Sequence, residues 1–211
     1  MKLLWKVCGM RDKQNIQEVL GLKPDYMGFI FFEKSPRNIS TDFDEGILTH
    51  WNADTKKVGV FVNEKLETVK SYIKKYKLDV LQLHGKESPE YCQELRREGV
   101  QIMKAFSVDE EFNFENTEAY QNVTDIFLFD TKAKGAYGGH GLNFDWNLLN
   151  KYSGNKPFLL AGGIDLSNLQ ELKDISHPSF LGIDVNSRFE LEPALKDISR
   201  LKKLKDWLER Y

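Results

Sequence analysis

Short apolar runs recur along the chain, each followed by a longer stretch in which apolar positions return with a helical period. The runs are Leu3–Val7, Tyr26–Phe32, Lys57–Val62, Asp79–Leu83, Val100–Phe106, Asp125–Phe129, Pro157–Leu160 and Phe180–Val185. They are rich in β-branched and aromatic residues and are bounded by Gly, Pro, Asp or Asn, which reads as strands. Most lack polar alternation, the pattern of strands covered on both faces in a parallel sheet. Between them, Arg11–Leu20 predicts a helix closed by Gly21. Asn63–Tyr76 offers Asn63 as an N-cap and sets Leu66, Val69, Ile73 and Tyr76 on one stripe. Ser88–Glu98 opens with a capping Ser88, takes Pro89 at its first position and ends at Gly99. Asp165–Lys173 and Ala194–Glu209 are helical in period, and Asn113–Gln121 is the weakest of the set. Strands alternating with helices in this way predict an α/β chain forming a single (β/α)8 TIM barrel with eight parallel strands, one domain over residues 1–211. An open doubly wound sheet is the rival, but no GxGxxG follows the first run.

Composition changes this picture little. The 211 residues are 41% hydrophobic and 29% charged, with a net charge of −2, which is ordinary for a globular protein and gives no footprint for a nucleic-acid partner. The cations Arg200, Lys202, Lys203 and Lys205 are interspersed with Asp197, Asp206 and Glu209 and read as a solvated helix face. The first apolar run is too short for a signal-peptide core, and no window has the length of a membrane span. With two cysteines, Cys8 and Cys92, there is no disulfide framework, so a cytoplasmic location without membrane contact is expected. No two histidines have metal-ligand spacing, so no metal is expected. His50 and His177 read as surface residues.

In a barrel of this kind the active site lies at the C-terminal ends of the strands. Cys8 ends the first run beside Gly9, Asp130 ends the sixth, Gly162 and Gly163 follow the seventh, and Asp184, Asn186 and Ser187 end the eighth. Cys8 is either a small buried hydrophobe or, if a neighbour stabilises its thiolate so that it titrates below an ordinary cysteine, a nucleophile or a base. Asp130 either caps a loop or, desolvated at an apolar mouth, holds a proton to donate. Gly162 and Gly163 make a tight turn or a backbone nest for phosphate. Arg37 is a surface residue or a fork for a carboxylate or phosphate. His84 is an acid–base group or a neutral histidine holding a loop. A Gly-rich loop with Gly135, Gly138, Gly139, His140 and Gly141 follows Asp130.

The segments Lys6-Val7-Cys8-Gly9, Lys34-Ser35-Pro36-Arg37, Val58 through Asn63, Gln82-Leu83-His84-Gly85, Phe129-Asp130, Gly138-Gly139, Phe144-Asp145-Trp146, Leu160 through Gly163 and Asp184-Val185 resemble, in order and spacing, the phosphoribosylanthranilate isomerase family. The resemblance implies an Amadori rearrangement of N-(5-phosphoribosyl)anthranilate in tryptophan biosynthesis, without cofactor or metal, by a monomer or homodimer acting on a small phosphorylated substrate. It implies Asp130 as general acid, Cys8 as general base and Arg37 on the anthranilate carboxylate. It implies His84, Asp184 and a phosphate cradle of Gly162, Gly163, Asn186 and Ser187 as further substrate contacts. Two positions depart from the family pattern: His140 replaces a Thr, and Arg188 in Asp184-Val185-Asn186-Ser187-Arg188 replaces a Gly. Indole-glycerol-phosphate synthase, a related phosphate-binding barrel, wants a catalytic Lys on an early strand and a longer N-terminus; neither is visible.

Overall fold

A computed structural model describes residues 2–39, 43–49, 51, 54–131 and 146–211. Eight parallel strands close into a barrel in chain order: β1 (Leu4–Cys8), β2 (Tyr26–Ile30), β3 (Lys56–Phe61), β4 (Val80–Leu83), β5 (Gln101–Val108), β6 (Ile126–Thr131), β7 (Phe158–Ala161) and β8 (Phe180–Val185). Each strand pairs with its sequence neighbours, and β1 closes on β8 with Lys6 opposite Asp184. Closure leaves none of these eight with an unpaired edge. Every apolar run of the sequence is a strand, with ends moved by at most two residues.

The period of two along each strand separates two packed regions. One set of positions fills the lumen: Val58, Val60, Val80, Met103, Ala105, Leu128, Leu159 and Ala161 pack together with Cys8 and Tyr26. The other set, including Val7, Phe29, Phe61, Leu81, Ile102, Phe127, Phe129 and Leu160, packs against the surrounding helices. Both faces of the strands are therefore apolar, as the continuous runs required.

Helical segments cover the outside: α1 (Lys13–Leu20), α2 (Gly46–Thr49), α3 (Leu66–Tyr76), α4 (Pro89–Arg96) and α5 (Ile198–Leu208). Asp12, Ser88 and Asp197 cap α1, α4 and α5 by accepting from backbone N–H groups of the first turn. The expected cap at Asn63 is not made. Asn63 adopts φ 51°, its N–H donates to Glu87, and its side chain accepts from Lys86 N–H. It joins two strand-end loops, and α3 starts at Leu66 behind Lys65, which makes no side-chain cap.

The Asn113–Gln121 and Asp165–Lys173 stretches are 3-10 turns, Phe114–Tyr120 and Leu169–Asp174. Before the second, Asp165 N–H donates to Asn168 Oδ1 and Asp165 Oδ1 accepts from the N–H and hydroxyl of Ser167, which competes with an α-helical start. A hairpin unforeseen in the sequence, β9 (Glu190–Glu192) and β10 (Leu195–Lys196), precedes α5. His177 is half-buried, not a surface residue: its Nε2 lies 2.7 Å from the Tyr152 carbonyl. His50, His140, the Gly135–141 loop, Phe144 and Asp145 lie outside the described residues. No helix among the described residues is long and apolar enough to cross a membrane.

Candidate active site

At the C-terminal ends of the strands a cavity of about 240 Å³ opens, with Cys8, Gln82, His84, Asp130, Gly162, Gly163, Asp184, Asn186, Ser187 and Arg188 among its walls. All the residues picked from the sequence line it except Arg37.

Cys8 is the last residue of β1 and is 4% exposed. The chain turns away immediately at Gly9, whose φ is 77°; a Cβ there would lie 2.8 Å from the Arg37 side chain and 2.9 Å from Asn186 Oδ1. Two residues earlier on the same strand face, Lys6 is fully buried, and its ammonium donates to Asp184 Oδ2 at 2.8 Å. Burial pushes the Cys8 thiol above the ordinary range; Lys6 opposes this more than any other charge, and Lys196 helps. The expectation of a depressed thiol is therefore wrong for the free site: desolvation outweighs the nearby cations. Burial also raises Asp184, against the pull of Lys6. Lys6 itself loses to burial and gains more from Asp184 and Cys8, and so titrates above an ordinary lysine.

Asp130, near the end of β6, stands in the opposite part of the wall. Its Oδ2 lies 3.2 Å from His84 Nε2, and the two side chains are 21% and 27% exposed. His84 Nδ1 lies 3.0 Å from Gln82 Nε2. With the Gln82 amide donating, the ring accepts at Nδ1, carries its proton at Nε2 and donates it to Asp130. His84 thus orients the carboxylate while the Asp130 side chain stays open to the cavity.

Gly162 and Gly163 follow β7 with φ of 88° and 69°. At Gly162 a Cβ would lie 2.2 Å from the Thr131 carbonyl, so this turn accepts no side chain. Asn186 and Ser187 face the same end of the cavity from β8, and Arg188 is the one Lys or Arg among the described lining residues. The guanidinium of Arg188 makes no hydrogen bond among the described residues, and the neighbouring Asp165 is already taken by Arg200 at 2.6 Å.

Arg37 is not among the cavity-lining residues, but its side chain packs against Gly9, the residue next to Cys8. Its Nε and Nη2 grip Glu190, with Nη2 at 2.6 Å, while Nη1 makes no hydrogen bond among the described residues. Glu190, 4% exposed, also accepts from the fully buried Lys196, which reaches Asn186 Oδ1 at 2.8 Å. The sequence reading missed Lys6, Gln82, Glu190 and Lys196 as site residues. For Lys6 a signal existed: a lysine within an apolar run, two residues before Cys8. Glu190 and Lys196 sit in the unforeseen hairpin.

Two buried oxygens of cavity-lining residues, Gln82 Oε1 and Asp184 Oδ1, have no hydrogen-bond partner among the described residues. An unsatisfied buried acceptor costs about 1–3 kcal/mol, so this wall is built to receive donors. The arrangement offers a thiol and a carboxyl for proton transfer, acceptors for hydroxyl groups, and a glycine turn with an adjacent cation for an anion.

The family model described as "N-(5'phosphoribosyl)anthranilate (PRA) isomerase" matches residues 5–206. The N-(5'-phosphoribosyl)anthranilate isomerase of Parabacteroides distasonis is 48% identical over 201 residues, covering 95% of this chain and 90% of that protein. The crystal structure of phosphoribosyl anthranilate isomerase from Thermotoga maritima superposes with a TM-score of 0.85 at 30% identity, covering 99% of this chain and 100% of that one. A phosphoribosyl anthranilate isomerase crystallised with reduced 1-(o-carboxyphenylamino)-1-deoxyribulose 5-phosphate superposes with a TM-score of 0.83 at 27% identity, covering 99% and 100%.

Proposed function

Because the chain belongs to the N-(5'-phosphoribosyl)anthranilate isomerase family, and so is an isomerase of tryptophan biosynthesis, we propose that it carries out the Amadori rearrangement by proton transfer between Asp130 and Cys8. The substrate is N-(5-phosphoribosyl)anthranilate and the product 1-(2-carboxyphenylamino)-1-deoxyribulose 5-phosphate. Asp130 gives its proton to the furanose ring oxygen. The C1–O bond breaks, the anilino nitrogen lone pair forms a C=N bond, and the sugar opens to a protonated Schiff base. The Cys8 thiolate then takes the C2 proton, the C2–H electrons neutralise the iminium nitrogen, and the resulting enolamine tautomerises to the ketone. No atom is gained or lost.

The observation that carries this reading is the placement of Cys8 on β1 and Asp130 on β6 in the wall of one cavity, a base and an acid serving one small substrate. His84 aims the acid. Gln82 Oε1 and Asp184 Oδ1, lacking partners, suit the hydroxyls of an opened sugar. Gly162, Gly163, Asn186 and Ser187 suit the phosphate, and the remaining Nη1 edge of Arg37 suits the anthranilate carboxylate. One phosphorylated small molecule fills these roles, and a monomer or homodimer suffices because one chain supplies every group. We place the reaction in the cytoplasm, in keeping with two free, buried thiols.

The test is turnover of the fluorescent anthranilate substrate by Cys8→Ala and Asp130→Asn. Each substitution is expected to lower kcat by about 10²–10⁴-fold, the usual worth of general acid–base catalysis, in folded protein. Near-full turnover by either variant would remove that residue from the mechanism.

A further inference from the structure

Lys6 has no part in the scheme above, yet it is a lysine with no exposed surface, directed into the barrel from β1. Burying an ammonium costs several kcal/mol even when it is paired, and an apolar side chain would fill the same space. Its position indicates what it does. A Cβ added to Gly28, on the neighbouring strand β2, would lie 2.8 Å from Cys8 Sγ and 3.1 Å from Lys6 Nζ. Thiol and ammonium therefore converge on one point, with Asp184 holding the ammonium from β8 at 2.8 Å.

We propose that Lys6 is a positioning residue that holds the Cys8 thiolate as its counter-ion, with Asp184 fixing where the ammonium stands. The free thiol loses its proton to water at the cavity, leaving a thiolate beside the Lys6 ammonium. That thiolate takes the C2 proton of the substrate and returns to the thiol. The charged groups around Cys8 are Lys6 on its own strand, Asp184 on β8, Lys196 on β10 and Arg37 after β2. Glu190 neutralises part of the last two, and Asp130 and His84 act on Asp184. Among the described residues, Lys6 is the fully buried cation whose ammonium converges with the thiol inside the lumen, and its removal takes away that partner.

The inference rests on Cys8 acting as the base, and two independent readouts separate them. Cys8→Ala turnover tests the base. The pH dependence of Cys8 alkylation by iodoacetamide in the free enzyme, read by mass spectrometry of the Cys8 peptide, tests the counter-ion. Asp184→Asn, which removes an opposing negative charge, is expected to lower the midpoint of alkylation. Adding Lys6→Met to Asp184→Asn is expected to raise it by at least about one unit, a tenfold loss of thiolate at a given pH. The same step should lower kcat about tenfold at neutral pH, with recovery at high pH and little change in KM. A merely structural lysine would lower kcat at every pH without moving the midpoint. That result, or an unmoved midpoint in both variants, overturns the proposal. If that double variant does not fold, Lys6→Gln/Asp184→Asn takes its place: a midpoint above that of Asp184→Asn supports the proposal and an equal midpoint overturns it.

Discussion

Replacing Gly28 by Ala perturbs the site with a single methyl group. Gly28 lies opposite Cys8 in the β1–β2 ladder, and its side-chain position faces the lumen. The new methyl would stand 2.8 Å from Cys8 Sγ, 3.1 Å from Lys6 Nζ and 3.2 Å from Cys8 Cα. Comfortable non-bonded contacts are about 3.5–4.0 Å, so the sulfur must retreat by roughly 1 Å. The backbone cannot give way instead, because Cys8 is held by ladder bonds on β1 and the following Gly9 and Met10 both donate to the Gly28 carbonyl. Misplacing a reacting group by about 1 Å costs on the order of 10²-fold in rate. Overpacking costs about 1–3 kcal/mol, and for a domain of this size each kcal/mol lowers Tm by roughly 2–4 °C. Gly28→Ala is therefore expected to fold, to melt about 2–12 °C lower, and to lose about a hundredfold in kcat. Fluorescence turnover and thermal melting followed by circular dichroism measure both. A folded variant with the parent kcat would refute the claim that this point in the lumen belongs to the chemistry.

Other expectations follow from the same network. Burial pushes Glu190 up, but Arg37 and Lys196 together bring it below an ordinary glutamate. Its stabilisation is thus complete above about pH 4.3 and is lost as pH falls from there through the lower folded value. Glu190→Gln, which leaves Lys196 buried beside a neutral partner, should cost about 3–5 kcal/mol at neutral pH and flatten the acid limb of a pH–stability curve; an unchanged limb would contradict the assignment. Arg188→Gly restores the residue of the family pattern and removes the one Lys or Arg from the described cavity wall. KM should rise by up to about fivefold, the scale of an exposed charge contact, with kcat unmoved and a weaker dependence of KM on salt. An identical KM would place Arg188 in solvent during turnover. Gly182→Ala would bring a Cβ within 1.9 Å of the Leu4 carbonyl; failure to form the β1–β8 seam is expected, seen as insoluble or molten protein, and a cooperative melt would count against it.

The barrel was legible because its strands are apolar on both faces, so each announces itself as a continuous run. Cys8 and Asp130 were legible for a related reason: each stands at the carboxyl end of such a run, where local position already implies a place on the rim. Segments that failed were those whose structure is decided by side chains from elsewhere. Asn63 reads as a helix cap, but Glu87 and Lys86 from the next loop claim its polar groups. Arg37 reads as a free fork, but its partner Glu190 is 153 positions away and lies in a hairpin too short to show a pattern. The titration of Cys8 could not be read at all, because its sign depends on whether desolvation exceeds the pull of Lys6, and burial is a property of the closed barrel.

The seam between the first and last strands couples closure to chemistry. Lys6 and Asp184 are 178 positions apart in sequence and directly opposite in the β1–β8 register, so their pair forms only when the barrel closes. A seam selected for stability alone would be apolar. Replacing a buried ion pair by well-packed hydrophobic residues of similar volume is often neutral or stabilising by about 1–4 kcal/mol, whereas removing one partner costs about 3–5 kcal/mol. Among the described residues Asp184 Oδ1 is without a partner, which places this pair on the costly side of that balance. Lys6→Met/Asp184→Leu is accordingly expected to unfold in denaturant at or above the parent midpoint, while Lys6→Met alone unfolds well below it. Such a pattern, with the double variant stable and slow, would locate the role of the pair in the reaction. A double variant less stable than Lys6→Met alone would mean that the ion pair itself holds the barrel shut.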